Sequence, residues 1–235
     1  MPVRITPVVL NLIIINCIVF IAVNVLHPEW QDHLALYKTD VLGIRKTEML
    51  RESQSNPDLI ECYVRYQDGE LEQASPISYF KPWQILSSAF THGGFFHILM
   101  NMMFLSSIGT MVELVVGGRR FLEFYIFCSI VSGALVAFFD PALNPVVGAS
   151  GALFGVFVAF AVFYPGARMM RLFNPNGIEA RKVAIGFGVI SAALVVLKEL
   201  KGFDPIPISH FGHLMGMVAG VGYFYLRSFM NKIKR

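Results

Sequence analysis

From Pro7 to Leu26 the chain runs without one charged side chain. A helix over such a stretch spans about 30 Å, the thickness of a bilayer's hydrocarbon layer. Further apolar stretches follow, and the spacing predicts six transmembrane helices over residues 7–26, 95–116, 121–139, 150–164, 183–197 and 211–226. The fourth and fifth are short for a crossing, so their ends must extend or the bilayer must thin. The first resembles the apolar core of a signal peptide, but it is long for one. Val23-Asn24-Val25 is also a poor cleavage site, so the segment reads as a retained anchor. Composition agrees, with 55% hydrophobic residues and only 15% charged, against about a quarter charged in soluble domains. The expected fold is all-α: a polytopic bundle of six transmembrane helices forming one domain over residues 1–235.

An even number of spans places both termini on one side. That side would carry Arg4, Arg119, Arg120, Arg168, Arg171, Arg181, Lys182, Arg227, Lys232, Lys234 and Arg235. The short loops opposite carry only Lys198 and Lys201. Basic residues gather on the cytoplasmic side, so both termini are expected in the cytoplasm of a cell (inner) membrane. The first loop, residues 27–94, is then extracytoplasmic and holds ten of the sixteen acidic residues. A loop that long is usually functional or separately structured. A net charge of +3 is too small to argue for nucleic acid as a partner.

Several polar residues stand where lipid depth makes them costly. His97 and Asn101, four apart, share one helical face and could offer hydrogen-bond donors to a common point. Taken alone, they are better explained by a packing hydrogen bond between helices. Ser150 lies between Gly148-Ala149 and Gly151. Glycines there allow a tight turn and close approach, and a serine opening a helix lies among unpaired N–H groups at the positive end of the dipole. Gly148, Gly151 and Gly155 can also be read as a small-residue packing stripe. His213 is followed by Gly216 and Gly220, one turn apart, which form a groove for another helix. If that helix carries Gly151 and Gly155, the backbones can pack near enough for Ser150 Oγ to reach His213. His210, three residues earlier, competes for the role of base but lies nearer the water boundary.

Other chemistries fit less well. Cys17, Cys62 and Cys128 show no metal or disulfide spacing. His92 and His97 are five apart and poorly aligned on a helix, and no H-E-x-x-H occurs, so no metal and no cofactor is expected. The soluble nucleophile-elbow reading of Gly148 to Ala152 needs a preceding strand, and Asp204 in a loop is given no orienting role.

Together these residues resemble the rhomboid family of intramembrane serine proteases, in its bacterial six-span form. The family's histidine-x4-histidine-x3-asparagine signature matches His92, His97 and Asn101. Its G-x-S-G motif matches Gly148 to Gly151, and its H-x-x-G-x-x-x-G segment matches His213, Gly216 and Gly220. The resemblance covers roughly residues 83 to 226. It implies Ser150 as nucleophile, His213 as general base, and an oxyanion hole made by the Ser150 N–H with His97 and Asn101. His92, Gly148, Gly151, Gly216 and Gly220 would support them. Glu113 matches a family glutamate and is expected to be structural. Trp83 is followed by Gln84 where the family has arginine, which puts in doubt any role that needs the guanidinium. The implied activity is cleavage of transmembrane segments of single-span membrane proteins within the lipid bilayer. The oligomeric state is left open.

Overall fold

The computed structural model describes residues 4–36, 59–60, 63–65, 71–73, 77–78, 80–140, 145–169, 175–201 and 208–233. Cys62, Arg171, Asp204 and most of the first loop's acidic residues lie outside them.

The first helix, α1 (Pro7–Ile21), has proline in its first turn, where the missing N–H costs nothing. It continues as a π turn, Ala22–Leu26. A short α2 (Trp30–Leu34) begins the first loop. The loop's strands form two antiparallel pairs: β1 (Leu59–Ile60) with β4 (Ile77–Ser78), and β2 (Tyr63–Arg65) with β3 (Leu71–Gln73). Then come α3 (Gln84–Ser87), α4 (Phe95–Phe104), a π turn over Leu105–Gly109, and α5 (Thr110–Val116). The last three make one continuous helical segment over the predicted residues 95–116.

After α6 (Gly118–Phe139) and α7 (Ser150–Phe163), a small hairpin of β5 (Arg168–Met169) and β6 (Ile178–Glu179) leads to α8 (Ala180–Lys201) and α9 (His210–Ile233). The protein is mostly helical, with its strands confined to loops. Helices α8 and α9 run past the predicted residues 183–197 and 211–226 because apolarity ends before helical hydrogen bonding does. Among the described residues, four segments are long and apolar enough to cross a membrane: Pro7–Leu26, Phe95–Val116, Gly118–Phe139 and Ala180–Lys198. Ser150–Phe163 is apolar but shorter. The molecule is a multi-pass membrane protein.

The outer faces match that setting. Ile18, Val25, Leu114, Val162, Val189 and Ile190 are each more than half exposed, as lipid-facing side chains should be. Helix α7 instead sits at the centre, with Val156, Phe157 and Ala159 almost wholly buried.

Two contacts set the frame. The first is the approach of α7 to α9. A methyl group in place of the Gly216 hydrogen would overlap the Gly151 carbonyl, and one on Gly220 would lie 2.9 Å from the Gly155 carbonyl oxygen. On α7, a Cβ on Gly155 would lie 3.1 Å from the Gly216 carbonyl oxygen. The backbones therefore touch, as the glycine spacing led one to expect.

The second is a latch. The buried Glu113 carboxylate accepts the Thr6 hydroxyl at 2.6 Å, the Val9 N–H at 2.9 Å and the Val8 N–H at 3.2 Å. It thus caps the start of α1, whose first N–H groups lack intrahelical acceptors and whose dipole favours an anion. The structural role expected of Glu113 is this cap.

Gly216→Ala should lower stability by at least the ~1–3 kcal/mol of an overpacked core, read as a drop in thermal midpoint in detergent. Glu113→Ala should cost about 2–4 kcal/mol by leaving charge-assisted hydrogen bonds unmade. Limited proteolysis should then cut α1 free before the rest of the bundle unfolds. Resistance equal to the parent would contradict the latch.

Candidate active site

Ser150 is placed by the backbone that precedes it. Gly148 adopts φ +118°, which side-chain-bearing residues rarely reach, and this turns the chain into α7. The Gly148 N–H donates to the Ser88 carbonyl at 2.8 Å. The Ala149 N–H reaches Nε2 of His92 at a long 3.5 Å. Two residues earlier still, Val146 and Leu36 exchange backbone hydrogen bonds at 2.9 Å each way, which ties this turn to the first loop.

His92 is fully buried ahead of the second apolar segment. Burial, with the neighbouring His97, pushes its imidazole down to about 4, so the ring is neutral and can accept. Its carbonyl receives the Asn24 amide at 3.0 Å, which links it to the end of α1. His92 thus touches the turn through a ring nitrogen and the end of α1 through its carbonyl.

On α4, His97 and Asn101 do lie on one face and converge on that turn. A Cβ on Gly148 would sit 2.6 Å from His97 Nε2 and 3.8 Å from Asn101 Nδ2. Only glycine leaves room for the His97 ring, and Asn101 lies at ordinary contact distance. The buried Asn101 amide gives one hydrogen to the His97 carbonyl at 3.0 Å, and its second hydrogen is available for another acceptor.

His213 lies in the first turn of α9. Ser209 caps that helix, its Oγ accepting the Gly212 N–H at 3.1 Å. The His213 ring stacks on Phe154 with centroids 4.3 Å apart and planes 21° apart. Phe154 follows Ser150 by one helical turn, so the serine and the imidazole's resting surface share a face of α7. Neither Phe154 nor Ser209 was singled out from sequence. The four-residue offset from Ser150 is the signal that would have found Phe154.

Ser150, His213, His97, Asn101 and His210 all line one cavity of about 890 Å³. Among the described residues no hydrogen bond joins Ser150 Oγ to the His213 ring. His210 is buried, stands edge-on to His213 at 6.4 Å, and its Nε2 has no partner among the described residues. Gln84 is wholly buried: its Oε1 accepts the Lys81 N–H at 3.0 Å and its amide donates to the His33 carbonyl at 3.3 Å. Gln84 thus fastens α3 to the first loop.

Gly148→Ala should be damaging twice over, through the positive φ and through collision with His97. Its thermal midpoint should fall further than that of Gly166→Ala, where a Cβ meets nothing within 4 Å. An equal fall in both would show that the His97 contact is not restrictive.

Comparison with known proteins gives a consistent picture. The family model for the Rhomboid domain matches residues 79–229. Rhomboid protein 1, mitochondrial, of Saccharomyces cerevisiae is 37% identical over 97 residues, 39% of this chain and 28% of that protein. Rhomboid protease GluP of Bacillus subtilis is 32% identical over 139 residues, 59% of this chain and 24% of the relative. RHOMBOID-like protein 5 of Arabidopsis thaliana is 30% identical over 194 residues, 82% of this chain and 58% of the relative. The matched regions thus span between 24% and 58% of these relatives' own lengths. The family match runs from the residues just ahead of α3 into the last turns of α9, well over half of the sequence, and the chain belongs to the rhomboid family.

Proposed function

We propose that this protein is an intramembrane serine endopeptidase that cuts transmembrane segments of single-span membrane proteins through Ser150 and His213. The observation that carries this reading is the convergence of His97 and Asn101 on the turn before Ser150, in the same cavity that His213 lines. Family membership supports it.

In the proposed reaction Ser150 Oγ bonds to the scissile carbonyl carbon while His213 takes the hydroxyl proton. The carbonyl electrons move to oxygen, and that oxyanion is received by the Ser150 N–H, the His97 ring and the second Asn101 amide hydrogen. Collapse breaks the C–N bond, and His213 returns the proton to the departing amine. Water then attacks the ester through the same base, which frees the acid and restores the serine. No carboxylate is assigned to orient His213; the stack on Phe154 holds the ring plane.

The proposed topology has six spans with both termini in the cytoplasm of the inner membrane. Helix α7, at about 1.5 Å per residue, rises only about 21 Å. Ser150 then starts below the membrane surface, and the cavity admits the water that hydrolysis needs. Substrate helices must unwind there, because a helical backbone keeps its carbonyls hydrogen-bonded.

A fluorophosphonate probe should label the purified protein, and labelling should vanish in both Ser150→Ala and His213→Ala. Asn101→Ala should keep measurable cleavage of a single-span substrate, reduced about 100–1000-fold. His210→Ala should still label. Equal cleavage by the parent and Ser150→Ala would sink the proposal. Absence of labelling in a folded parent would favour a rhomboid-like protein that holds membrane helices without cutting them.

A further inference from the structure

At the end of the bundle opposite Ser150 lies a second, smaller cavity of about 250 Å³. Its walls come from four helical segments. Val112 and Val116 of α5, Phe124 of α6 and Phe163 of α7 line it, and Phe224 of α9 closes it. The aromatic walls are packed: Phe124 lies 5.7 Å from Phe224 between ring centroids, and Phe163 lies 5.6 Å from Phe224. Two arginines, the exposed Arg120 and the half-buried Arg227, line the same apolar crevice.

Among the described residues no carboxylate pairs with either of them. Arg227 is held in place by a neutral group, donating to the Tyr223 hydroxyl at 3.0 Å. Among the described residues Arg120 has no ion-pair partner. The nearby carboxylates are engaged, since Glu123 pairs with Arg119 at 3.0 Å and Glu113 caps α1. Arg119 itself points away into solvent, its side chain 92% exposed. The crevice opens where apolar helices give way to arginines, the level at which a bilayer places its phosphates.

We infer that this crevice binds an anionic phospholipid, with the headgroup phosphate between Arg120 and Arg227 and the first part of one acyl chain against Phe124, Phe163 and Val116. The occupant follows from complementarity. Two positive charges beside an apolar slot fit a molecule that carries phosphate and hydrocarbon together. Arginine's planar donors suit phosphate oxygens. A zwitterionic lipid carries its own cation, which meets like charge here. The site is independent of Ser150 and His213.

The test is native mass spectrometry of the full chain, released from a neutral detergent, counting bound phosphatidylglycerol and phosphatidylcholine of the same acyl chains. One phosphatidylglycerol should be retained in preference to phosphatidylcholine. Each arginine near a membrane surface is worth roughly five-fold in affinity, so Arg120→Gln with Arg227→Gln should weaken retention roughly thirty-fold. Arg119→Gln should leave it unchanged. An unaltered lipid-free thermal midpoint in the double variant shows that its loss is not unfolding. If that variant is unstable, Arg120→Gln alone should give roughly the five-fold loss. Equal retention of the two lipids would reduce the crevice to an apolar surface and overturn the inference. Unchanged retention in the variants would also overturn it, as would complete displacement of the lipid by millimolar inorganic phosphate, which would mark a plain anion site.

Discussion

The backbone contact between α7 and α9 is the constraint on which the rest of this structure depends. Within lipid, helices gain little from hiding apolar side chains from one another, because the surrounding tails are equally apolar. Association must come from dispersion and from polar contacts, both of which fall off steeply with distance. The missing side chains at Gly155, Gly216 and Gly220 let the two backbones meet, while Gly151 makes room for Ser132 of α6. That contact carries Ser150 and His213, each at the start of its helix, to the same cavity.

The remaining parts of the site hang from that pair by hydrogen bonds over long separations in sequence. The turn before Ser150 is held by the Ser88 carbonyl, by His92 and by the Leu36–Val146 bridge. Asn24 reaches His92 from the end of α1, and Glu113 fixes the opposite end of α1 to α5. A helix with so few buried residues, only Val9, Leu12 and Asn16, is therefore fastened at both ends rather than along its length. The polar contacts that hold α1 also hold the surroundings of the site.

Much of this was legible in the residues. Residues 7–26 and 95–116 coincide with the observed helical segments, because a long uncharged stretch has one low-energy form in lipid. Gly216 and Gly220 announced a close helix contact. His97 and Asn101 announced a shared face, and both features are present. Less was legible at α7, whose short length has meaning only beside the cavity at its start. Phe154 and Ser209 carried no signal strong enough to stand out, and Gln84 stood out only as a departure from arginine, with no sign of what it bonds. A phenylalanine in an apolar helix and a serine in a loop are ordinary until their partners are known.

The sequence by itself determined that the chain lives in a membrane, where most of its helices lie, and which polar residues must find partners there. Those outcomes follow from local rules, since hydropathy and the need to satisfy backbone groups act within each segment. Only the tertiary structure decided what those partners are. Glu113 became the cap of α1, His92 an acceptor for the turn, Phe154 the surface under His213, and Arg120 and Arg227 two charges on one crevice. Each joins residues far apart in the chain, and the distance across a helix contact is set by both surfaces together, never by one stretch of residues alone.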